Sequence, residues 1–165
     1  MASVFVLRVD LWGWVLIMKV ETNQVLLGVK VASKDELLEK LAQKGVELGF
    51  ADDEEKLLKA FQDREAAGAT GFVDGFAIPH AKSTDIKKSG VVVVRLAEPV
   101  AWPSYDHGDA STVIALYIRE REAGTAHLSL LSRSVTMIMS DSKRERIVSA
   151  TTPEELAAAV SEGLE

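Results

Sequence analysis

The sequence predicts an α/β fold with three layers, in which helices cover both faces of a mixed central β-sheet. Two runs support this prediction, because Val91–Leu96 and Thr112–Ile118 are almost continuously apolar, as expected of strands buried on both faces. Helical patterns occur before the first run and after the second, so each face of the sheet has helices available to cover it.

The ends of the helices can be placed from local signals. Ser33 and Glu36 form a capping-box pattern that predicts a first helix, and the acidic run Asp52–Glu55 marks the start of a second. Thr152, followed by Pro153, predicts the start of the last helix. The other predicted elements are a strand over Val25–Val31, a helix from about Thr125 and a short helix from Asp141.

Length and composition indicate one globular domain. We expect a single domain over residues 1–165, with a core of about 25–165 and an N-terminal extension over 1–17. The apolar run Leu11–Met18 is far shorter than the roughly 20 residues of a membrane helix. It has no signal-peptide cleavage pattern. We therefore expect an extra strand or a packing arm there, without direct membrane insertion.

Charge and cysteine content exclude several classes of function. The net charge is -6, and the basic cluster Lys143–Arg146 is too small for a nucleic-acid surface, so we expect no nucleic-acid partner. The absence of cysteine excludes disulfides, thiolate metal sites and cysteine nucleophiles, and it agrees with a cytoplasmic location. With three histidines in the chain, a metal site would need carboxylate ligands as well.

The stretch Gly71–His80 places a histidine directly after a proline at the end of an apolar run. Pro79 lacks a backbone donor and is predicted to end the strand, which leaves His80 at a strand end. An imidazole in such a place can act as a nucleophile, a general base or a metal ligand. Taken alone, a single histidine at a strand end more often has no catalytic role, and its ring nitrogens form hydrogen bonds with backbone groups.

Two further residues could assist His80. His127 lies in the first turn of the predicted helix after Thr112–Ile118, where free N–H groups favour anions. Arg64 lies near the end of a helix, just before the loop that leads to His80, and a guanidinium suits bidentate phosphate binding. Both residues also have an explanation without a functional role. His127 would be a half-exposed residue of the first turn, and Arg64 would form an ion pair on the surface.

Together these residues resemble a known family, the type 2 enzyme IIA domains of the bacterial phosphoenolpyruvate-dependent sugar phosphotransferase system (PTS), the fructose/mannitol group. The resemblance covers roughly Val25 to Glu165, and its strongest element is Gly75–His80. The other matching segments are Arg64-Glu65, Thr70-Gly71, Glu98–Trp102, Gly124–Leu128 and Thr152–Leu156.

The resemblance implies a phosphotransferase with a phosphohistidine intermediate and no cofactor or metal. His80 would accept a phosphoryl group on Nε2 from the phosphocarrier protein HPr and pass it to a cysteine of a IIB component. His127 would position the phosphoryl group and Arg64 would supply charge, with Thr70 as a possible hydroxyl donor. Because this sequence has no cysteine, the IIB component must be a separate chain, and we expect a stand-alone IIA protein in sugar uptake.

Other readings stay open at this point. A regulatory IIA protein of the nitrogen-related kind would keep the same histidine, and so the motif cannot separate it from a transport component. A non-catalytic scaffold has no need to keep His80, His127 and Arg64, and a metal site lacks a third ligand. Phe72 and Phe76 are candidates for a docking surface, although either could belong to the core. The sequence names neither the sugar nor the group that fixes the tautomer of His80.

Overall fold

The computed structural model describes residues 5–10, 13–122 and 125–165, with side chains from Lys19 to Arg121 and from Ser129 onward. In the N-terminal extension, strands β1 (Phe5–Asp10) and β2 (Gly13–Met18) pair in an antiparallel hairpin. The extra strand expected from the apolar run is therefore confirmed within β2. No helix in the described ranges is long and apolar enough to cross a membrane.

The central sheet has five strands and is mixed, as predicted. Its order is β3-β6-β7, and β4 and β5 follow one another along the free edge of β7. Strand β3 is parallel to β6, β6 is antiparallel to β7, and both β4 and β5 are parallel to β7. The strands are β3 (Val25–Val29), β4 (Phe76–Ala77), β5 (His80–Ser83), β6 (Gly90–Val100) and β7 (Ala110–Arg119).

Five α-helices are described; the predicted caps Ser33 and Thr152 are confirmed, and so is the start of a helix within Asp52–Glu55. The side chains of Ser33, Asp53 and Thr152 accept hydrogen bonds from backbone N–H groups of the first turns of α1, α2 and α5. These bonds satisfy donors that the helix itself cannot pair. The helices are α1 (Lys34–Glu47), α2 (Glu54–Ala67), α3 (Thr125–Met139), α4 (Asp141–Ser149) and α5 (Pro153–Gly163).

Alternate side chains of β6 build two cores, one on each face of the sheet. Val92 and Val94 pack into a cluster with apolar residues of α1 and α2. Val91 and Val93 pack into a second cluster with residues of α3, α4 and α5. Because side chains alternate along a strand, this division requires a helical layer on each face. The three-layer α/β/α fold predicted from the sequence is therefore confirmed.

The prediction that the strand stops at Pro79 is confirmed, since β4 ends at Ala77, but the predicted start of the next loop at Lys82 is wrong. His80 is the first residue of β5, and the loop expected from Lys82 begins only after Ser83. Pro79 interrupts the pairing with β7 at one place, but its carbonyl oxygen still accepts a hydrogen bond of 2.9 Å from the backbone N–H of Leu116. The chain therefore stays beside β7, and a second short strand starts at His80.

Candidate functional site

Both ring nitrogens of the His80 imidazole have a hydrogen-bond partner. Its Nδ1 lies 2.9 Å from the carbonyl oxygen of Ile78, which can only accept, so Nδ1 carries the proton. Nε2 then has a lone pair, and it accepts a 2.9 Å hydrogen bond from Nε of Arg64. The residue is 7% exposed, and these two contacts favour the neutral tautomer with its lone pair on Nε2.

Arg64 lies in the last turn of α2 and is anchored at two points. Besides the bond to His80, its Nη1 donates a 2.7 Å hydrogen bond to the carbonyl oxygen of Gly68, which caps the helix. A cation is favourable there because the C-terminal end of a helix carries partial negative charge. These contacts bring together Arg64 and His80, two of the residues that the sequence predicted for the site.

A buried carboxylate organises the loop between α2 and β4. The side chain of Glu65 is 5% exposed, and it accepts hydrogen bonds from the hydroxyl and the backbone N–H of Thr70. Lys34 lies 3.7 Å away and pairs with the same carboxylate. The carbonyl oxygen of Thr70 in turn accepts a 2.9 Å bond from the N–H of Ile78. Glu65 therefore supports the segment whose carbonyl orients His80.

Thr70 is placed differently from the role suggested for it. Its hydroxyl proton is donated to Glu65, and the residue is 7% exposed. It does not line the cavity beside His80. A bond from this hydroxyl to a phosphoryl oxygen would require the bond to Glu65 to break, and the role of Thr70 as a hydroxyl donor stays a prediction.

A solvent-open cavity of about 700 Å³ lies beside His80, between α2 and β5. Both His80 and Arg64 line it, so the Arg64–His80 contact lies at its wall. The other lining residues are Lys56, Lys59, Ala60, Asp63, Lys82, Ser83 and Asp85. Four of the nine side chains are cationic lysines or arginine, and this suits an anionic group next to the imidazole.

The remaining predicted residues divide into three cases. His127 belongs to the first turn of α3, but its side chain lies outside the part of the chain that the structure describes. Phe76 is 2% exposed and belongs to the core, which removes it as a docking candidate. Phe72 is half-buried and packs edge-on against Tyr105, a residue that is 79% exposed.

Sequence reasoning missed three groups at the site. The carbonyl of Ile78 left no signal, because any backbone carbonyl can orient a histidine. Glu65 was identified only through the family resemblance, because a carboxylate in the last turn of a helix is not favoured by the helix dipole and gives no local signal. Lys82 could have been found from its position two residues after His80, had β5 been recognised as a strand.

The family described as phosphoenolpyruvate-dependent sugar phosphotransferase system, EIIA 2, matches residues 18–163, and the chain belongs to it.

One curated relative is the PTS system 2-O-alpha-mannosyl-D-glycerate-specific EIIABC component of Escherichia coli. It is 36% identical over 137 residues, which are 82% of this chain and 21% of that protein. The chain therefore spans about a fifth of the length of that relative.

Two solved structures place the fold. The nitrogen regulatory protein IIA-Ntr from Neisseria meningitidis superposes with a TM-score of 0.79 and 26% identity, over 85% of this chain and 94% of that one. Enzyme IIA of the mannitol system from Escherichia coli, solved in complex with phosphorylated IIB, gives a TM-score of 0.73 at 22% identity. That match covers 87% of this chain and 98% of the other. At this level of sequence identity, the match supports the fold alone.

Proposed function

We propose that this protein carries a phosphoryl group on Nε2 of His80, between HPr and a IIB component of a sugar phosphotransferase system. The observation that carries the proposal is the hydrogen bond from Nδ1 of His80 to the carbonyl oxygen of Ile78. It fixes the proton on Nδ1 and leaves the lone pair on Nε2, at the wall of a cavity lined by cations. A neutral imidazole held in this way is a competent nucleophile.

Arg64 has to change partner during the reaction. Its Nε–H occupies the lone pair of Nε2 in the structure described, and that lone pair must be released before it can attack phosphorus. A guanidinium displaced by a phosphoryl group remains beside it and can donate to the phosphoryl oxygens. Arg64 would therefore exchange a neutral acceptor for an anionic one as the transfer proceeds.

The transfer itself needs positioning and charge more than covalent help. The P–N bond at the donor histidine of HPr breaks as the P–Nε2 bond at His80 forms, and Nδ1 keeps the proton that it donates to Ile78. In the second step the thiolate sulfur of the cysteine binds to phosphorus, the P–Nε2 bond breaks, and its electron pair returns to Nε2. Electrostatic support aimed at the moving phosphoryl group is the main contribution a protein makes to such reactions.

The partners are inferred from the family and from the sequence. The mannitol IIA structure was determined with phosphorylated IIB, and we infer a IIB partner for this chain as well. Residues 1–165 contain no cysteine, so the cysteine that receives the phosphoryl group lies outside this sequence. HPr as the donor, a cytoplasmic location, and the positioning role of His127 are further parts of this proposal.

The proposal is tested by incubating the protein with phosphoenolpyruvate, enzyme I and HPr, and by following acid-labile label on the chain. We expect His80→Ala to abolish labelling. His107→Ala is the matched control, because His107 lies in an exposed loop, and it should be labelled like the unchanged protein. Label that persists in His80→Ala would refute His80 as the acceptor.

A nitrogen-regulatory role is the second candidate, and the likeness to IIA-Ntr from Neisseria meningitidis favours it. Both roles use the same phosphohistidine, so labelling does not separate them. Transfer from labelled protein to the cysteine of candidate IIB proteins does. Rapid transfer to a IIB cysteine supports the transport role, whereas a stable phosphoprotein that no IIB protein discharges supports the regulator.

A further inference from the structure

Lys82 lies on the same side of β5 as His80. The strand is regularly paired with β7 over its whole length, with His80 opposite Leu116 and Lys82 opposite Ile118. Side chains two residues apart in a strand point to the same face, about 7 Å apart along the chain. Ala81, between them, points to the other face, where it is fully buried in the core formed with α1 and α2.

Lys82 and His80 share one cavity. Both side chains line it, and Lys82 is exposed, so its flexible stem can move without disturbing the core. Arg64 reaches Nε2 from α2, at the end of the cavity formed by that helix. Lys82 comes from β5 instead, so a group attached to Nε2 would have cations from two different elements beside it.

Two of the four cationic side chains that line the cavity pair with its two carboxylates. Lys59 lies 2.7 Å from Asp63, and Lys56 lies 3.5 Å from Asp85, so both carboxylates that line the cavity already have a lysine. Within the described ranges, no carboxylate oxygen lies within 4.0 Å of Nζ of Lys82. Among the side chains that the structure describes, Lys82 therefore has no carboxylate partner, although the chain as a whole has a net charge of -6.

We propose that Lys82 is a phosphoryl-binding residue, whose ammonium group pairs with the phosphoryl oxygens once phosphorus is bound to Nε2 of His80. This inference rests on the proposed function, because it needs a phosphoryl group at that nitrogen. A phosphoryl group on nitrogen is anionic at neutral pH and offers three acceptor oxygens, which suit a lysine as a mobile point charge. Arg64 would bind from α2 and Lys82 from β5.

The alternative is a solvated lysine without a role, which is the usual state of an exposed lysine. The two cases differ in the titration of the phosphoryl group. A cation that pairs with the phosphoryl oxygens favours their more highly charged form and lowers the midpoint of that titration. A solvated lysine leaves the midpoint unchanged.

The test uses full-length protein phosphorylated chemically with phosphoramidate, so that it does not depend on HPr. Its phosphorus NMR signal is then titrated with pH. We expect Lys82→Ala to raise the midpoint by about one pH unit and Lys82→Arg to restore it. Lys87→Ala is the matched control, because this substitution removes the same charge from an exposed residue that does not line the cavity. The midpoint of the Lys87→Ala protein should equal that of the unchanged protein.

A second measurement follows the rate of labelling by HPr, which we expect Lys82→Ala to lower on the order of tenfold relative to Lys87→Ala. A Lys82→Ala protein with the unchanged midpoint overturns the proposal. If Lys82→Ala shifts the midpoint but HPr does not label even the unchanged protein, the role of Lys82 stands and transfer from HPr to His80 is refuted. If phosphoramidate places no phosphoryl group on His80, both proposals fall.

Discussion

Nε of Arg64 donates a 2.9 Å hydrogen bond to Nε2 of His80, so the nitrogen proposed as nucleophile already has a partner. The same arginine is tied to Gly68 through Nη1, and so only one of its donors has to leave the imidazole for the reaction to start. This contact joins the end of α2 to the start of β5, and it is the relationship from which the chemistry of the site follows.

Arg64 is predicted to support phosphoryl transfer without being required for the fold. Arg64→Ala should lower the rate of labelling of His80 by roughly 100-fold, as expected when one charged donor to the transferred group is lost. Arg64→Lys should lose less, because it keeps the charge but not the planar fork. Stopped or quenched-flow labelling with phosphorylated HPr measures both.

Arg146→Ala is the control for this change, since Arg146 is half-exposed and pairs on the surface with Glu162. Its labelling rate should match that of the unchanged protein. An Arg64→Ala protein that is labelled as fast as the control would show that Arg64 takes no part in the transfer.

Glu65 is predicted to stabilise the loop that supports Ile78. Glu65→Ala would leave the hydroxyl of Thr70, a buried residue, without its acceptor, and this should cost about 1–3 kcal/mol of the free energy of unfolding. Urea unfolding measures the loss. Glu39→Ala, at an exposed position of α1, should change the free energy by less than about 0.5 kcal/mol, and equal losses in the two variants would contradict the role of Glu65.

Gly71 is predicted to be required by packing rather than by backbone conformation. A Cβ atom added there would overlap the carbonyl oxygen of Pro103 and lie 2.8 Å from its carbonyl carbon, so the two loops would have to separate. Gly71→Ala should therefore cost about 1–3 kcal/mol in the free energy of unfolding.

Gly68 provides the matched comparison in the same loop. A Cβ atom there meets nothing closer than Nη1 of Arg64 at 3.8 Å, and the backbone φ of 165° is extended and open to any residue. Gly68→Ala should be nearly neutral in thermal and urea unfolding. Similar destabilisation of both variants would mean that contact with Pro103 is not the cause.

Tyr117 is predicted to make the protein lose stability at alkaline pH. Complete burial raises the pKa of its phenol well above the usual value of 10.0, and its hydroxyl donates a 2.6 Å bond to the carbonyl oxygen of Leu41. Below about pH 10 the phenol is neutral in both the folded and the unfolded chain, and its contribution to stability is constant. As the pH rises further, the unfolded chain ionises first and the free energy of unfolding falls.

Tyr117→Phe removes that titration. It should cost about 1 kcal/mol at neutral pH for the lost hydrogen bond, and then lose less stability than the unchanged protein between pH 10 and 11. Urea unfolding at both pH values tests the difference. Parallel losses in the two proteins would assign the alkaline change to other groups.

Much of the fold was predictable because its signals are local. Ser33 and Thr152 cap their helices through contacts three residues away in the chain, and a sequence window contains both partners. The alternation of buried residues in β6 likewise depends only on the strand period and on cover from both sides.

The site was less predictable because its contacts join distant segments or depend on backbone atoms. The bond between Arg64 and His80 spans a helix end and a strand start, and the sequence indicated only that Arg64 could assist His80, not that the two side chains are in contact. The prediction for Lys82 depended on the course of the chain after Pro79. The sequence predicts a loop from Lys82. Its position on the same face of a strand as His80 could therefore not be inferred.

Nitrogen-15 NMR of the imidazole of His80 tests the central claim most directly. In the unphosphorylated protein, the claim predicts the tautomer with the proton on Nδ1; after phosphorylation by HPr, it predicts a coupling between phosphorus-31 and Nε2 of His80. A proton on Nε2 before the reaction, or phosphorus coupled to Nδ1 or to another histidine after it, would contradict the account.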